Sequence, residues 1–211
     1  MIITTSLCVE PAETRMVLEN VAWATFVELA NQRRGSVPRM TYDIGVLEMI
    51  SPKRQHENLG RLIGRMVEAY SESRDIEIIS LKSMTVKRSD LKRAFESDES
   101  YYIAHAVQLL EKEELDFESD PPPDLVIEVE ITTSAIDKMQ LFAKMQIPEV
   151  WRHNGQSLQM FRLVEGNYLS IESSSQLPEL QAALMNRMLA SRLTTGETKL
   201  IKEFRQRIAE M

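Results

Sequence analysis

Apolar and polar residues alternate along several short stretches of the chain, and this pattern predicts β-strands. The predicted strands lie at 14–18, 39–42, 46–50, 76–81, 85–86, 124–131, 150–153, 157–163 and 168–171. The segment Asp43-Ile-Gly45 lies between the second and third of them and predicts a hairpin turn. Strands are therefore spread along most of the chain.

Apolar residues at three- and four-residue steps predict helices between these strands. The clearest helix opens at Ser51-Pro52 and carries Leu59, Leu62, Ile63, Met66, Val67 and Tyr70. Asn20 and Ser134 are predicted N-caps of two further helices, the second ending near Gln146, because a short polar side chain can bond free backbone amides. Two more helices follow at 180–189 and 200–208. This mixed order predicts an α/β (α+β) fold around a central sheet.

One predicted strand, Asp124–Ile131, combines an apolar face with acidic residues. Leu125, Ile127, Val129 and Ile131 share one face, because side chains alternate with period two. Glu128 and Glu130 project together from the other face. Unpaired charge on a buried strand is costly, so these carboxylates need a cation, a proton or water.

Composition limits the classes of protein that the chain can represent. It has 211 residues, a formal charge of −7 and a single cysteine, Cys8, which cannot form an internal disulfide. These features predict a cytoplasmic location. Apolar runs are too short for a membrane span, so no membrane partner is expected. The acidic balance gives no overall attraction to nucleic acid, although basic residues cluster locally at 53–65 and 82–93.

The candidate chemistry is a carboxylate cluster of Asp98, Glu128 and Glu130, with Lys138 nearby in sequence. Carboxylates on neighbouring strands could share one Mg²⁺ or Mn²⁺, and a lysine could hold an attacking water. Solvated acids, with Lys138 simply paired to one of them, are the alternative interpretation. His56 and Glu57, at the start of the long helix, are secondary candidates. The sequence has no phosphate-binding glycine loop and no G-x-S-x-G elbow.

Several segments carry a family resemblance, and they occur in order: Leu18–Trp23, Arg39–Pro52, His56-Glu57, Phe95–Ile103, Pro122–Glu130 and Lys138–Trp151. From about residue 14 to 170 the chain resembles the Uma-two family of predicted endonucleases. That family belongs to the PD-(D/E)XK, or restriction-endonuclease-like, superfamily. The resemblance implies a central mixed sheet flanked by helices over 1–175, followed by a helical C-terminal extension over 176–211.

The resemblance also implies roles for individual residues. Asp98 matches the first acid of the superfamily pattern and Glu128 the second, so both are expected to bind metal. Glu130 stands where the superfamily has a lysine, and Lys138 matches the lysine that this family supplies from the following helix. Glu57 matches a further acid of the early helix. Ser97 replaces the family's usual proline.

The main hypothesis is therefore a Mg²⁺- or Mn²⁺-dependent endonuclease that acts on DNA. Its catalytic residues would be Asp98, Glu128 and Lys138, assisted by Glu130 or Glu57. One alternative is a nuclease-fold module that binds nucleic acid or regulates without cutting. Another is a homo-oligomeric structural protein, such as a homodimer, assembled through its amphipathic tail.

Overall fold

The computed structural model describes residues 3–4, 13–82 and 84–211, and Cys8 lies outside these ranges. The strands in the described part are β1 Ile3–Thr4, β2 Glu13–Leu18, β3 Arg39–Asp43, β4 Val46–Pro52, β5 Ile79–Ser80, β6 Val86–Arg88, β7 Arg93–Phe95, β8 Glu99–Tyr102, β9 Leu125–Val129, β10 Glu149–His153, β11 Leu158–Val164 and β12 Asn167–Ile171. The helices are α1 Trp23–Gln32, α2 Arg54–Ser73, α3 Ala106–Leu109, α4 Lys138–Lys144, α5 Ala182–Ala190 and α6 Glu197–Ala209.

The strands form two sheets. The first has the order β1-β2-β4-β3-β7-β6 and the second the order β12-β11-β10-β9-β8-β5. The second sheet is mixed, because β9 runs parallel to β10 while its other pairs are antiparallel. Helix α4 makes the crossover between the two parallel strands, as such a connection requires. The predicted mixed α and β architecture is thus confirmed.

Strand β9 lies in the middle of this mixed sheet and separates two apolar layers. Leu125, Ile127 and Val129 are buried against α2 in the larger core. Val126 packs in a second core with residues of α4, including Phe142. The predicted division of the strand into two faces is correct, and Glu128 therefore projects on the α4 side.

The C-terminal helices α5 and α6 pack on α2 and extend the larger core. Met185, Met188, Phe204 and Ile208 are buried there. The boundary at residue 175 and a homodimer formed through the tail stay predictions. Among the described residues, no helix has the length and apolar character needed to cross a membrane.

Two predicted helix caps are wrong. Asn20 has a φ of 58°, and α1 begins only at Trp23. Asparagine tolerates this left-handed conformation, so the residue belongs to a turn before the helix. Ser134 also does not cap a helix, because α4 begins only at Lys138; its hydroxyl donates to Glu48 at 2.7 Å and accepts the Ile136 amide at 3.2 Å in the turn before the helix. The cap of α4 is Asp137, whose carboxylate accepts the Gln140 amide at 3.1 Å.

The start of the long helix is also later than predicted. Pro52 still belongs to β4, where it lies opposite Glu13 of β2, and α2 begins at Arg54. The predicted apolar stripe of α2 is nevertheless buried, with Leu59, Leu62 and Ile63 fully inaccessible. The delayed start leaves His56 and Glu57 in the first turn of the helix.

Candidate active site

Asp98 lies immediately before β8 and is fixed by the end of β9. Its backbone amide donates to the Ile127 carbonyl at 3.2 Å, and its Oδ2 accepts the Val129 amide at 2.7 Å. The carboxylate thus accepts the Val129 amide in place of a backbone carbonyl, at the point where the β8–β9 pairing ends. Asp98 is 7% exposed, so its charge depends on partners inside the protein.

Helix α2 approaches Asp98 from the other side. His56 Nε2 lies 2.8 Å from Asp98 Oδ1. Gly60, one turn later on the same face, is so close that an added Cβ would be 3.2 Å from the Cβ of Asp98. A side chain at this position would press on Asp98, so the glycine allows the first turns of α2 to lie close to the carboxylate.

Arg39 connects this acid with the first turn of α2. Its guanidinium donates to Asp98 Oδ1 and, at 2.8 Å, to Glu57 Oε1. Among the described residues, Arg39 is the one that connects Glu57 to the site. No sequence signal marks Arg39, because an arginine at the start of a strand is ordinary and its partners are distant in the chain.

Glu128 and Lys138 form a buried pair. Lys138 Nζ donates to Glu128 Oε2 at 2.7 Å, and the two side chains are 9% and 5% exposed, respectively. The second oxygen, Glu128 Oε1, is buried and has no hydrogen-bond partner among the described residues. An unpartnered buried carboxylate oxygen is rare and calls for an unseen ligand or a functional role.

A buried acid of the first sheet shapes the turn that leads to Lys138. Glu48 Oε1 accepts the Ala135 amide at 2.8 Å, while Oε2 accepts the Ser134 hydroxyl. Arg15 pairs with Glu48 at 2.5 Å and also bonds Thr132 in the same turn. The two sheets together therefore set the direction in which α4 begins, and with it the position of Lys138.

Glu130 points toward a different partner. Its Oε2 lies 3.0 Å from Arg152 Nε, and its Oε1 accepts the Ser134 amide at 3.1 Å. The structure thus brings Asp98, Glu128 and Lys138 together with His56. It leaves Glu57 and Glu130 beside this group, each bound to an arginine.

The charges in this group strongly influence one another. Burial raises the pKa of Glu128, and the nearby Asp98 charge raises it further, against the opposing effect of Lys138. Burial would also raise the pKa of Asp98, but His56 and Arg39 outweigh it and hold that pKa below its ordinary value. Burial lowers and Glu128 raises the pKa of Lys138, with a net increase. Burial and the Asp98 charge therefore disfavour the carboxylate form of Glu128, while Glu128 favours the ammonium form of Lys138.

These donors suit a hard cation that keeps part of its water shell. Within residues 13–82 and 84–211 no cluster of three or more His, Cys, Asp or Glu could form an all-protein site. Mg²⁺, however, is usually held by one or two carboxylates together with water and substrate phosphate. Asp98 and the free oxygen of Glu128 match that requirement.

Glu99 is a second buried acid on β8, and it faces α2 rather than α4. Burial, with the nearby Glu68, raises its pKa to about 7. The folded protein therefore keeps a proton that the unfolded chain releases above its ordinary pKa. We expect the contribution of Glu99 to stability to be greatest below about pH 4.5 and to fall as the pH rises to about 7, by on the order of 2 kcal/mol. The difference in free energy of unfolding between wild type and Glu99→Gln, measured with denaturant at several pH values in this range, should therefore shift in favour of Glu99→Gln as the pH rises; a difference that does not change with pH would contradict the prediction.

Comparison with known proteins agrees with this architecture. The profile of the Uma2 family, described as "Putative restriction endonuclease", matches residues 23–192. Among solved structures, the fold is similar to that of a protein from Anabaena variabilis ATCC 29413, described as a putative nuclease belonging to DUF820. The TM-score is 0.57 at 13% identity, over 87% of this chain and 99% of the other. No curated protein matches the sequence. Family and fold together support a nuclease-like function.

Proposed function

The chain belongs to the Uma2 family, and from this premise we propose that it is a divalent-metal-dependent nuclease that hydrolyses phosphodiester bonds in DNA. The observation that carries the proposal is the buried, unpartnered Oε1 of Glu128, in a group that also contains Asp98 and Lys138. Such an oxygen is a ready ligand for a hard cation. The metal would also offset the burial and the Asp98 charge, which disfavour the Glu128 carboxylate.

Asp98 and Glu128 would hold Mg²⁺ or Mn²⁺. When bound, the metal would polarise the phosphoryl group and lower the pKa of a bound water. Asp98 Oδ1, one of the oxygens that would hold the metal, is contacted by both Arg39 and His56 in the structure. These two side chains would therefore stand beside a phosphate bound at Asp98.

Lys138 has a role that follows from its charge. Burial lowers its pKa, but Glu128 and the other nearby acids outweigh this effect, which favours an ammonium that donates hydrogen bonds over an amine that accepts a proton from water. Its remaining N–H groups can instead orient the attacking water and stabilise negative charge that develops in the transition state. Glu57 and Glu130 would act as positioning residues, the first by holding Arg39 and the second by holding Arg152.

Cleavage of supercoiled plasmid and of circular single-stranded DNA tests the proposal. We expect nicking with Mg²⁺ or Mn²⁺ and none in EDTA. Activity that persists in EDTA, or in a variant with both Asp98→Ala and Glu128→Ala, would contradict the metal-dependent reaction.

Metal binding should also be measurable without catalysis. We expect millimolar Mn²⁺ to raise the melting temperature of the wild type, because a ligand that binds only the folded state stabilises it, by about 2.7 kcal/mol at a hundred times its Kd. Differential scanning calorimetry should show the shift in wild type and in Glu130→Gln, but not in Glu128→Gln. An equal shift in all three proteins would place the metal elsewhere.

The second candidate is a module that binds DNA without cutting it. The observation in its favour is that both oxygens of Asp98 already have partners in His56, Arg39 and the Val129 amide. An Asp98 carboxylate that is already satisfied by these partners would need no metal. Titration calorimetry showing no heat with Mn²⁺, while DNA still binds, would favour this candidate over the nuclease.

A further inference from the structure

A groove of about 410 Å³ lies between α4 and the strands β10 to β12. Gln140 and Lys144 line it from the helix, and Arg152, Phe161 and Tyr168 line it from the strands. Its volume is in the range of small-molecule binding sites, about 300–1,000 Å³. No residue of this groove belongs to the candidate catalytic group.

The groove lies on the same face of the sheet as Glu128. Arg152 of β10 is the direct neighbour of Glu128 across the parallel pair, and Phe161 of β11 is opposite Val150. Val150 and Arg152 are two residues apart, so their side chains share one face. Arg152 therefore stands between the catalytic group and Phe161, and a bound chain could extend from one to the other.

Two cations in the groove are available to a ligand. Arg152 contacts Glu130 through Nε, which leaves its two terminal nitrogens without a hydrogen bond to any described residue. Lys144 is exposed and forms no ion pair in the described part of the chain. Asp137 also lines the groove, but its carboxylate accepts the Gln140 amide as the cap of α4. The pattern favours an anionic ligand, such as a phosphate, on the Lys144 and Arg152 side.

The rest of the lining is suited to a flat ring. Phe161 is partly exposed within the groove. The hydroxyl of Tyr168 donates to the Ile147 carbonyl at 2.7 Å, and this bond restrains the position of the ring. Gln140 and Asn167 also line the groove with side-chain amides, which can donate and accept; Asn167 Nδ2 donates in addition to the Glu165 carbonyl at 3.3 Å. An aromatic face, amides and adjacent cations are the groups by which proteins bind an unpaired nucleotide.

We propose that the groove binds one unstacked nucleotide of a DNA strand whose neighbouring phosphodiester reaches Glu128. Its base stacks on Phe161, and its phosphate contacts Lys144 and Arg152. A base inside a duplex is already stacked and cannot enter, so the groove selects single-stranded or locally unpaired DNA. The place of the nucleotide beside the cleaved bond rests on the proposed function, whereas binding in the groove does not.

Fluorescence anisotropy with labelled oligothymidylate of about 12 nucleotides, a length within the usual range of binding sites, tests this. The titration is made in EDTA on Glu128→Gln as parent, so that no cleavage occurs. Adding Phe161→Ala should weaken binding about 5- to 100-fold, the effect of losing one stacked base, and Phe161→Trp should restore it. Leu169→Ala, which removes an exposed apolar side chain from the adjacent strand, is the matched control and should leave binding unchanged.

The salt dependence provides a second measurement. Lys144→Ala should lower the slope of log affinity against log salt by about 0.7, the value for one phosphate contact on a single strand. Lys202→Ala, at an exposed position on α6, should not change it. Thermal melting of each variant confirms that the fold is retained.

Three results would overturn the proposal. The parent could fail to bind the oligonucleotide, it could bind duplex DNA more tightly, or the parent, Phe161→Ala and Lys144→Ala could bind with equal affinity. The plasmid cleavage assay on the wild type distinguishes failure of the nucleotide-binding proposal from failure of the proposed nuclease function. Binding that depends on Phe161, without metal-dependent cleavage, would overturn only the nuclease activity. Metal-dependent cleavage, together with binding that does not depend on Phe161, would overturn only the proposed nucleotide site in the groove.

Discussion

Glu128→Gln is expected to lower the rate of DNA cleavage about a thousandfold while the protein stays folded. The substitution keeps the shape of the side chain and an oxygen that can accept from Lys138. It removes the negative charge that would hold the metal. Burial and Asp98 raise the pKa of Glu128, and the charges of Asp98 and Glu48 remain near Lys138 when this carboxylate is removed, so we expect the variant to fold. Single-turnover rates on plasmid DNA, with melting curves of the same samples, measure the two effects separately.

Glu130→Gln is the matched control for this prediction. It makes the same chemical change two residues along the chain, at a side chain that pairs with Arg152 instead of Lys138. We expect its cleavage rate to remain within about tenfold of wild type, since one partly exposed ion pair contributes little. If Glu128→Gln retains full activity, or if both variants lose it equally, Glu128 is not the metal ligand.

Much of this site could be predicted from short-range patterns. The alternation in Asp124–Ile131 places Glu128 on the face opposite the α2 core, and the structure bears this out. The apolar stripe of α2 likewise brings its first turn, with His56, against the sheet. Such patterns suffice because side-chain direction within a strand or helix follows from its period.

The parts that could not be predicted depend on contacts between distant segments. Arg39 meets Asp98 across 59 residues, and Glu48 meets Ser134 across 86. The second contact, together with the bond from the Ala135 amide to Glu48, holds Ser134 in the turn before α4. A serine can bond a backbone amide in a turn as well as at a helix start, so a serine before an apolar run does not by itself locate a cap.

The same long-range contacts separate the two acids of β9. Glu128 and Glu130 are equivalent in the sequence pattern, yet one is buried beside Lys138 and the other pairs with Arg152 at the edge of a groove. Local alternation places both on one face, and only the packing of α4 over part of that face distinguishes them.

Lys138→Met should be the most destabilising single substitution in the candidate site, by about 3–5 kcal/mol. Methionine keeps the length of the side chain but leaves the buried Glu128 carboxylate without its cation, near the equally buried Asp98. Glu128→Gln should cost less, because Lys138 keeps the negative charges of Asp98 and Glu48 nearby, whereas the carboxylate left by Lys138→Met lies near the like charge of Asp98. The two changes together should recover most of the loss, since no uncompensated carboxylate remains at position 128.

The effect should depend on pH in a definite direction. Without Lys138, the pKa of Glu128 rises further, so the folded protein takes up a proton as the pH falls and the cost of Lys138→Met decreases. Urea unfolding of wild type, both single variants and the double variant, at about pH 5 and about pH 8, gives the coupling energy at each pH. Lys144→Met, which changes an exposed lysine on the same helix, is the control and should alter stability by less than about 0.5 kcal/mol.

Two outcomes would contradict the view that Lys138 neutralises the buried Glu128 carboxylate. One is an equal loss of stability in the two single variants, and the other is a double variant whose loss is the sum of the two single losses. A coupling that weakens when Mn²⁺ is present would agree with both lysine and metal acting on Glu128, because each cation reduces the need for the other.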